Sequence, residues 1–291
     1  MAFPVSFFLF LAFRLFYHHH HDHFFVFVFA GWLRQSFRHY QSYLLSFSQS
    51  LIISLPFPDS YILREVAAYL NKPIEQTSLV VMHLGSGASV CAIKDGKSID
   101  TSMGLTPLDG LPGATRSGHV DPSLIFHYTS DAARLSRRAT EPVEITEAEE
   151  ILNREAGWKA LAGTTNFAQI SERAGNEEYP KETLAFLMFV DRILGYVGSY
   201  LLKLGGAPRV DALVFSGGIG ERSAKLRAAV LERCECVGFA LDKSKNDAVD
   251  KTEGVVVEIG CGVEGMKSLV CRTDEQLEMA RQCSLQGQFH E

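Results

Sequence analysis

Residues 59–291 predict an α/β fold, and three observations carry that prediction. Short apolar, β-branched runs alternate with segments of helical apolar spacing. Two of the strand-like runs, ending near Leu84 and Phe215, lead directly into glycine-rich loops. The composition is that of a globular chain: 291 residues, 46% hydrophobic, 21% charged, net charge −6. That balance excludes global disorder and a generally basic nucleic-acid binder.

The elements follow in order. Tyr61–Leu70 has helical apolar spacing and stops before Asn71-Lys72-Pro73. Leu79–Leu84 reads as a strand ending in Gly85-Ser86-Gly87. Ser89–Ile93 and Ser98–Thr101, joined through Asp95-Gly96, read as a β-hairpin with a type I′ turn. Thr146-x-x-Glu149 is a capping-box pattern, and Gly157 is a candidate helix stop. Leu187, Val190, Leu194, Val197 and Leu201 align on one face of a long helix ending at Gly205-Gly206. Ala212–Phe215 is a buried-strand candidate. Arg222–Cys234 is helical by pattern, Val255–Ile259 and Leu269–Cys271 are strands, and Asp274–Gln282 is a closing helix.

Residues 1–58 break this grammar. They carry only four charged residues, Arg14, Asp22, Arg34 and Arg38, yet hold most of the 20 phenylalanines and a cluster at His18–His21 and His23. Neither apolar run reaches the roughly 18–20 residues of a spanning helix. No basic residue precedes the first run, as a signal peptide would require. The segment reads as low-complexity sequence outside the fold, not native to the domain that follows. All six cysteines lie in the second part, with no paired zinc spacing, which fits a reducing compartment.

The chemistry concentrates in two glycine loops, one arginine and a few acids. His83-Leu84-Gly85-Ser86-Gly87 and Gly217-Gly218-Ile219-Gly220-Glu221 both follow predicted strands. Glycine lets backbone N–H groups approach phosphate oxygens, although glycines also make plain turns. A helix starting after the second loop would add its positive end. Arg116 sits among small residues in Gly113-Ala114-Thr115-Arg116-Ser117-Gly118. A planar guanidinium there can reach a phosphoryl group, or lie on the surface of a loop. His83, His119 and His127 read as structural by default, and Glu221 and Glu275 as solvated helix-end acids or Mg²⁺ ligands. There is no Walker A loop and no protein-kinase signature, and Ser223 takes the third glycine place of a dinucleotide fingerprint.

Taken together, these motifs resemble the C-terminal domain of the acetate and propionate kinase family. His83-Leu84-Gly85-Ser86-Gly87-Ala88-Ser89 is similar to the family's H-L-G-N-G-x-S loop. The run Asp100-Thr101-Ser102-Met103-Gly104, followed by Leu105-Thr106-Pro107-Leu108, is similar to its D-T-S-M-G block. Thr115-Arg116-Ser117-Gly118 with Asp121-Pro122, Gly218-Ile219-Gly220-Glu221, and Thr273-Asp274-Glu275 match further motifs in order. The resemblance implies one RNase H-like domain of the actin/Hsp70/sugar-kinase superfold. It also implies ATP-dependent phosphorylation of acetate, or propionate, with Mg²⁺. It casts Arg116 as catalytic, Pro107 in the acyl pocket and Glu275 at the metal. It casts His83, Leu84, Gly85, Ser86 and Gly87, with Gly218, Ile219, Gly220, Glu221 and Arg222, at the nucleotide.

The same resemblance implies a homodimer in the cytoplasm, with no nucleic-acid partner and no membrane association. Four departures stand out. Ser86 replaces an asparagine, and Arg222 follows Gly-Ile-Gly-Glu where the family has asparagine. The family's charged S-x-D-x-R contact becomes Asn166, Phe167 and Ala168, which are weak nucleotide candidates. The family's N-terminal domain, with its H-G-x-S-H segment, has no counterpart in residues 1–58. An incomplete, poorly active kinase is therefore expected, with a non-catalytic half-kinase or a membrane-tethered module as alternatives.

Overall fold

In the computed structural model, residues 57–129, 131, 134–137, 145–262, 265–274 and 281 are described. The expectations for residues 1–56 and for the closing helix at 275–282 lie outside them, apart from Arg281. The first helix, α1, spans Phe57–Tyr69, and three strands follow: β1 at Leu79–Leu84, β2 at Ala88–Lys94 and β3 at Lys97–Thr101. Helices α2 (Gly157–Ala162), α3 (Phe167–Arg173) and α4 (Pro180–Lys203) come next. After them come β4 (Ala212–Ser216), α5 (Gly217–Arg222), α6 (Ala224–Cys234), α7 (Lys243–Asp247), β5 (Val256–Glu258) and β6 (Lys267–Cys271).

One six-stranded sheet has the order β3-β2-β1-β4-β6-β5. The first three strands form an antiparallel meander, then β1, β4 and β6 run parallel, and β5 closes the edge antiparallel. This is the RNase H-like arrangement that the resemblance implies, with β5 as an added edge strand. The β2–β3 turn is of the expected kind, because Asp95 and Gly96 both take positive φ, 49° and 75°.

Strand alternation divides the core. Leu79, Val81, Ala212, Val214, Leu269 and Cys271 meet Tyr61, Ile62, Leu63 and Val66 of α1 on one face. Val80, Met82, Leu84, Leu213, Phe215 and Val270 point to the other, under α4 and α6. Asp211 ties the starts of the parallel strands together. Its carboxylate accepts from Ser78 N at 2.8 Å and from Lys72 Nζ at 2.8 Å, and its carbonyl accepts from Lys267 N at 2.9 Å.

Three local expectations need correction. The apolar stripe of α4 was expected to include Leu187, which is 48% exposed. The buried face runs instead through Ala185, Phe186, Phe189, Val190, Ile193, Val197, Tyr200 and Leu201. This wider face is needed because α4 packs against both the sheet and the Trp158–Phe167 cluster. The helix expected at Arg222–Cys234 begins at Ala224, because Ser223 (φ −91°, ψ 86°) separates it from α5, which ends at Arg222, and the Ser223 hydroxyl accepts from Leu226 N. Gly157 starts α2 instead of ending a helix: the capped turn Glu147–Glu150 widens into a π-turn at Ile151–Glu155 before it.

Among the described residues, α4 alone has the length and apolarity of a membrane span. Its inner face forms part of the core just described.

Burial also sorts the thiols. It pushes Cys234 up to about 11 and Cys271 up to about 12. The protonated form is the one the fold favours. The stability these two thiols contribute is therefore complete below their unfolded pKa of about 8.5 and is lost as pH rises through the folded values. At pH 8, iodoacetamide is expected to label the exposed Cys236 and Cys261 in the native chain. Cys91, Cys234 and Cys271 should react only after denaturant is added; peptide mass spectrometry that finds Cys271 labelled early would contradict the burial of β6.

Candidate functional site

The two glycine loops meet because β1 and β4 are parallel neighbours, paired from Leu79↔Ala212 to His83↔Ser216. Both carboxyl ends open at the same edge, where the sheet changes from antiparallel to parallel. Open α/β sheets generally place ligands in a crevice outside the carboxyl ends of their strands. The loops also touch. Gly217 has φ +74°, and a Cβ there would lie 2.7 Å from the Leu84 carbonyl oxygen, so only glycine permits this approach. Gly85 N donates to Gly87 O at 3.0 Å, which tightens the first loop, and Ser86 is exposed at its tip. His83 and Leu84 are strand residues beneath it, half-buried and buried respectively.

Arg116 is held beside this loop by backbone hydrogen bonds. Ala114 N donates to Ser86 O at 2.9 Å, and Gly113 N donates to Arg116 O at 3.0 Å. From the other side, Trp158 N and Lys159 N, at the start of α2, donate to Gly113 O and Ala114 O at 3.1 and 3.0 Å. Ala156 N reaches Thr115 O at 3.1 Å, and Thr115 Oγ1 donates to Asn153 O at 2.9 Å. Gly157 (φ +65°) makes this docking possible, since a Cβ there would sit 2.2 Å from Gly113 O. A Cβ at Gly87 would lie 3.2 Å from Arg116 Nη1, so the guanidinium rests directly against the first loop. It makes no ion pair or hydrogen bond among the described residues. An unneutralised, half-buried cation facing a glycine loop is suited to receive a phosphoryl group.

Beside these loops lies a cleft of about 570 Å³. Ser86 stands at one end. Gly218, Ile219, Arg222 and Ser223 form one wall, and Thr165, Asn166, Ala168, Ser171 and Glu172 form the other. Ser171 Oγ and Ser223 Oγ lie 3.1 Å apart across the base.

The expected trio 166–168 splits by role. Asn166 Oδ1 caps α3 by accepting from Ala168 N at 3.0 Å. Phe167 is 5% exposed and packs edge-on against Trp158 at 5.3 Å and Phe189 at 5.2 Å, so most of its ring belongs to the core. Ala168 is exposed on the cleft wall. Lys225, also on the wall, was not singled out by the sequence, because nothing in a helical pattern marks it.

The remaining candidates are not in the cleft. Glu221 turns away, its Oε1 accepting from Thr273 N at 3.1 Å and Thr273 Oγ1 at 3.0 Å. Gly220 is buried against Met82 and Leu84. Pro107 is exposed on the loop after β3 and does not line the cleft. His119 pairs with Asp109 at 3.2 Å, and His127 is exposed. Glu275 lies outside the described residues, which contain no cluster of three potential metal ligands. A second hollow, about 420 Å³ and lined by Tyr69, Lys245 and Glu258 among others, shares no residue with this site.

Comparison with known proteins agrees with this geometry. The family model described as the Acetokinase family matches residues 58–281. A probable acetate kinase of Emericella nidulans is 57% identical over 227 residues, covering 77% of this chain and 53% of that protein. The crystal structure of Porphyromonas gingivalis acetate kinase superposes with a TM-score of 0.66 at 30% identity, over 78% of this chain and 53% of that one. A propionate kinase structure from Francisella tularensis gives 0.63 at 33% identity, over 77% and 53%. The chain thus spans about half the length of the relatives it matches. Because that family model matches most of the chain, the chain belongs to the acetokinase family.

Proposed function

We propose that residues 59–291 are the nucleotide-binding lobe of an acetate-kinase-type phosphotransferase, with residues 1–58 outside that lobe. In the reaction, a carboxylate oxygen of acetate attacks the γ-phosphorus of ATP. The bond from that phosphorus to the ADP oxygen breaks, giving acetyl phosphate and ADP. The observation that carries this reading is the free guanidinium of Arg116 against Gly87, beside a cleft of nucleotide size. Propionate, an acid of the same class, is the alternative acceptor.

Phosphoryl transfer spreads negative charge over the equatorial oxygens of the moving group, and catalysis there is positioning plus charge stabilisation. Arg116 is the residue that meets this charge. The backbone and hydroxyl of Ser86 face the phosphates from the first loop, and Gly218 and Ile219 from the second. The cleft between α3 and α5 holds the nucleoside. Glu275 would hold a Mg²⁺ ion bound with the nucleotide, and that ion would supply neutralisation of charge on the phosphate oxygens. Arg116 works from one side only, so full turnover needs groups from a second lobe facing this one.

The partner proposed is a second copy of the chain. Leu184, Leu187 and Leu202 are 57%, 48% and 79% exposed and fall on one stripe of α4 by helical spacing. Light scattering of the purified chain should give twice the monomer mass, and a monomer at micromolar concentration would refute this. The cytoplasm is the proposed compartment, because Cys236 and Cys261 are exposed free thiols and a reducing environment keeps such thiols intact.

Two substitutions test the site, assayed for ATP formation from acetyl phosphate and ADP and for binding of ADP with Mg²⁺. Arg116→Ala should lower turnover by about 10²–10³-fold and leave ADP affinity within about threefold, the signature of a group used mainly in the transition state. Failure to bind ADP, or unchanged turnover in the variant, would remove the proposal's basis. Ala168→Arg places a cation on the cleft wall and should tighten ADP binding roughly 2–10-fold; weaker binding would mean that wall does not face the nucleotide.

A further inference from the structure

The second glycine loop is a six-residue helix, too short to hold its own orientation. Ser223 ends α5 abruptly, so the carbonyls of Gly220 and Glu221 cannot all be satisfied by helical donors. Both are taken by one side chain. Arg227 Nη1 donates to Gly220 O at 2.9 Å and to Glu221 O at 2.6 Å. The rest of its guanidinium is anchored on α7: Nε donates to Asn246 Oδ1 at 2.7 Å, and Nη2 donates to Asn246 O at 3.0 Å. Asn246 is fixed in turn, its Nδ2 donating to Ala224 O at 2.9 Å. Arg227 is 1% exposed and Asn246 2% exposed.

A buried cation is costly, and among the described residues no carboxylate receives it in a direct ion pair. Burial pushes the Arg227 guanidinium down to about 10, opposed by Asp250 and Asp247. An apolar residue would fill the same volume more simply if packing were the only demand. The guanidinium instead sits at the negative end of α5 and bonds its last carbonyls. The opposite end of α5, Gly218 and Ile219, lines the cleft.

We infer that Arg227, seated on Asn246, is a positioning residue that aims the first turn of α5 at the nucleotide. It touches no ligand. It acts through the backbone of Gly220 and Glu221, fixing where the N–H groups of Gly218 and Ile219 point. Arg227→Lys keeps the charge but cannot span both carbonyls and Asn246 at once, because an ammonium is a single point with no planar fork. This inference rests on the nucleotide reading of the cleft.

The test uses the full chain with three measurements: calorimetric titration with ADP and Mg²⁺, thermal melting, and amide hydrogen exchange followed on a peptide covering 217–223. Arg227→Lys should weaken ADP binding tenfold or more, speed exchange in that peptide, and leave exchange in β1 and β2 unchanged. Asn246→Ala, which keeps the two carbonyl bonds, should weaken binding by no more than threefold. Arg227→Lys binding ADP within twofold of the parent, or showing unchanged exchange at 217–223, would overturn the inference. Equal loss in both variants, accompanied by equal drops in melting temperature, would also overturn it, since that is what general packing predicts. If Arg227→Lys does not fold, Arg227→Gln carries the exchange comparison: faster exchange at 217–223 with β1 and β2 unchanged supports the brace, and no change overturns it. If the parent chain takes up no ADP, the nucleotide reading falls by itself, while the exchange measurement still decides whether Arg227 holds α5.

Discussion

Everything at the site depends on the contact between Gly217 and the carbonyl of Leu84. The parallel pairing of β1 with β4 fixes it, and the pairing is fixed by alternation: Leu79 and Val81 face α1 while Val80 and Met82 face α4. A slip of one residue would exchange the two faces and bury the wrong side chains, so the register is strongly specified. With the register set, the two loops leave the sheet at one level. At Gly217 a Cβ would lie 2.7 Å from Leu84 O, too close for any side chain, and the loops would be forced apart. The two loops meet because that Cβ is missing.

Arg116 shows how a loop residue becomes preorganised without ion pairs. Its segment is bonded on one side to the first glycine loop, through Ala114 N and Ser86 O, and on the other to the start of α2. The N–H groups that open a helix have no helical acceptor, and here Trp158 N and Lys159 N use the carbonyls of Gly113 and Ala114. Trp158 then packs its ring against Phe167 and Phe189, so the hydrophobic core fixes the end of the hydrogen-bonded chain. The guanidinium is thus positioned by its backbone, and its charge is left available for a ligand. Positioning a charge in advance is where most of the benefit in phosphoryl transfer arises.

Much of this was legible in the sequence, for identifiable reasons. β1 falls where the apolar run ends in glycine, and the hairpin turns on Asp95-Gly96 because both residues tolerate positive φ. Arg116 was marked by its small neighbours, although the α2 N–H donors that hold its segment were not, since a link across forty residues has no local signature. The errors share a cause. Leu187 and Gly157 were assigned from local period, and in each case a distant packing partner decided the outcome. Phe167 fits a nucleotide motif by position, but the Trp158–Phe189 cluster claims its ring. Arg227 escaped notice because a charged residue beside an apolar helical face normally reads as solvated, whereas here the carbonyls of a broken helix receive it.

The Gly-Ile-Gly-Glu segment shows why motif residues and contact residues differ. Gly217 is there for close approach to Leu84 O, and Gly220 is buried at ordinary contact distance from Phe215 and Leu84. The Glu221 carboxylate is engaged by Thr273, which ties the loop to the end of β6 and to the stretch that leads to Glu275. The Glu221 carbonyl is engaged by Arg227. What remains for a ligand is the backbone at Gly218 and Ile219, together with the exposed side chain of Arg222. A motif built this way tolerates change at Arg222, where asparagine is usual, because that side chain is on the rim. It resists change at Glu221, whose side chain and backbone both hold the site together. Replacing Glu221 would therefore disturb two ends of the site at once, the glycine turn and the strand that precedes Glu275, even though its carboxylate faces away from the cleft.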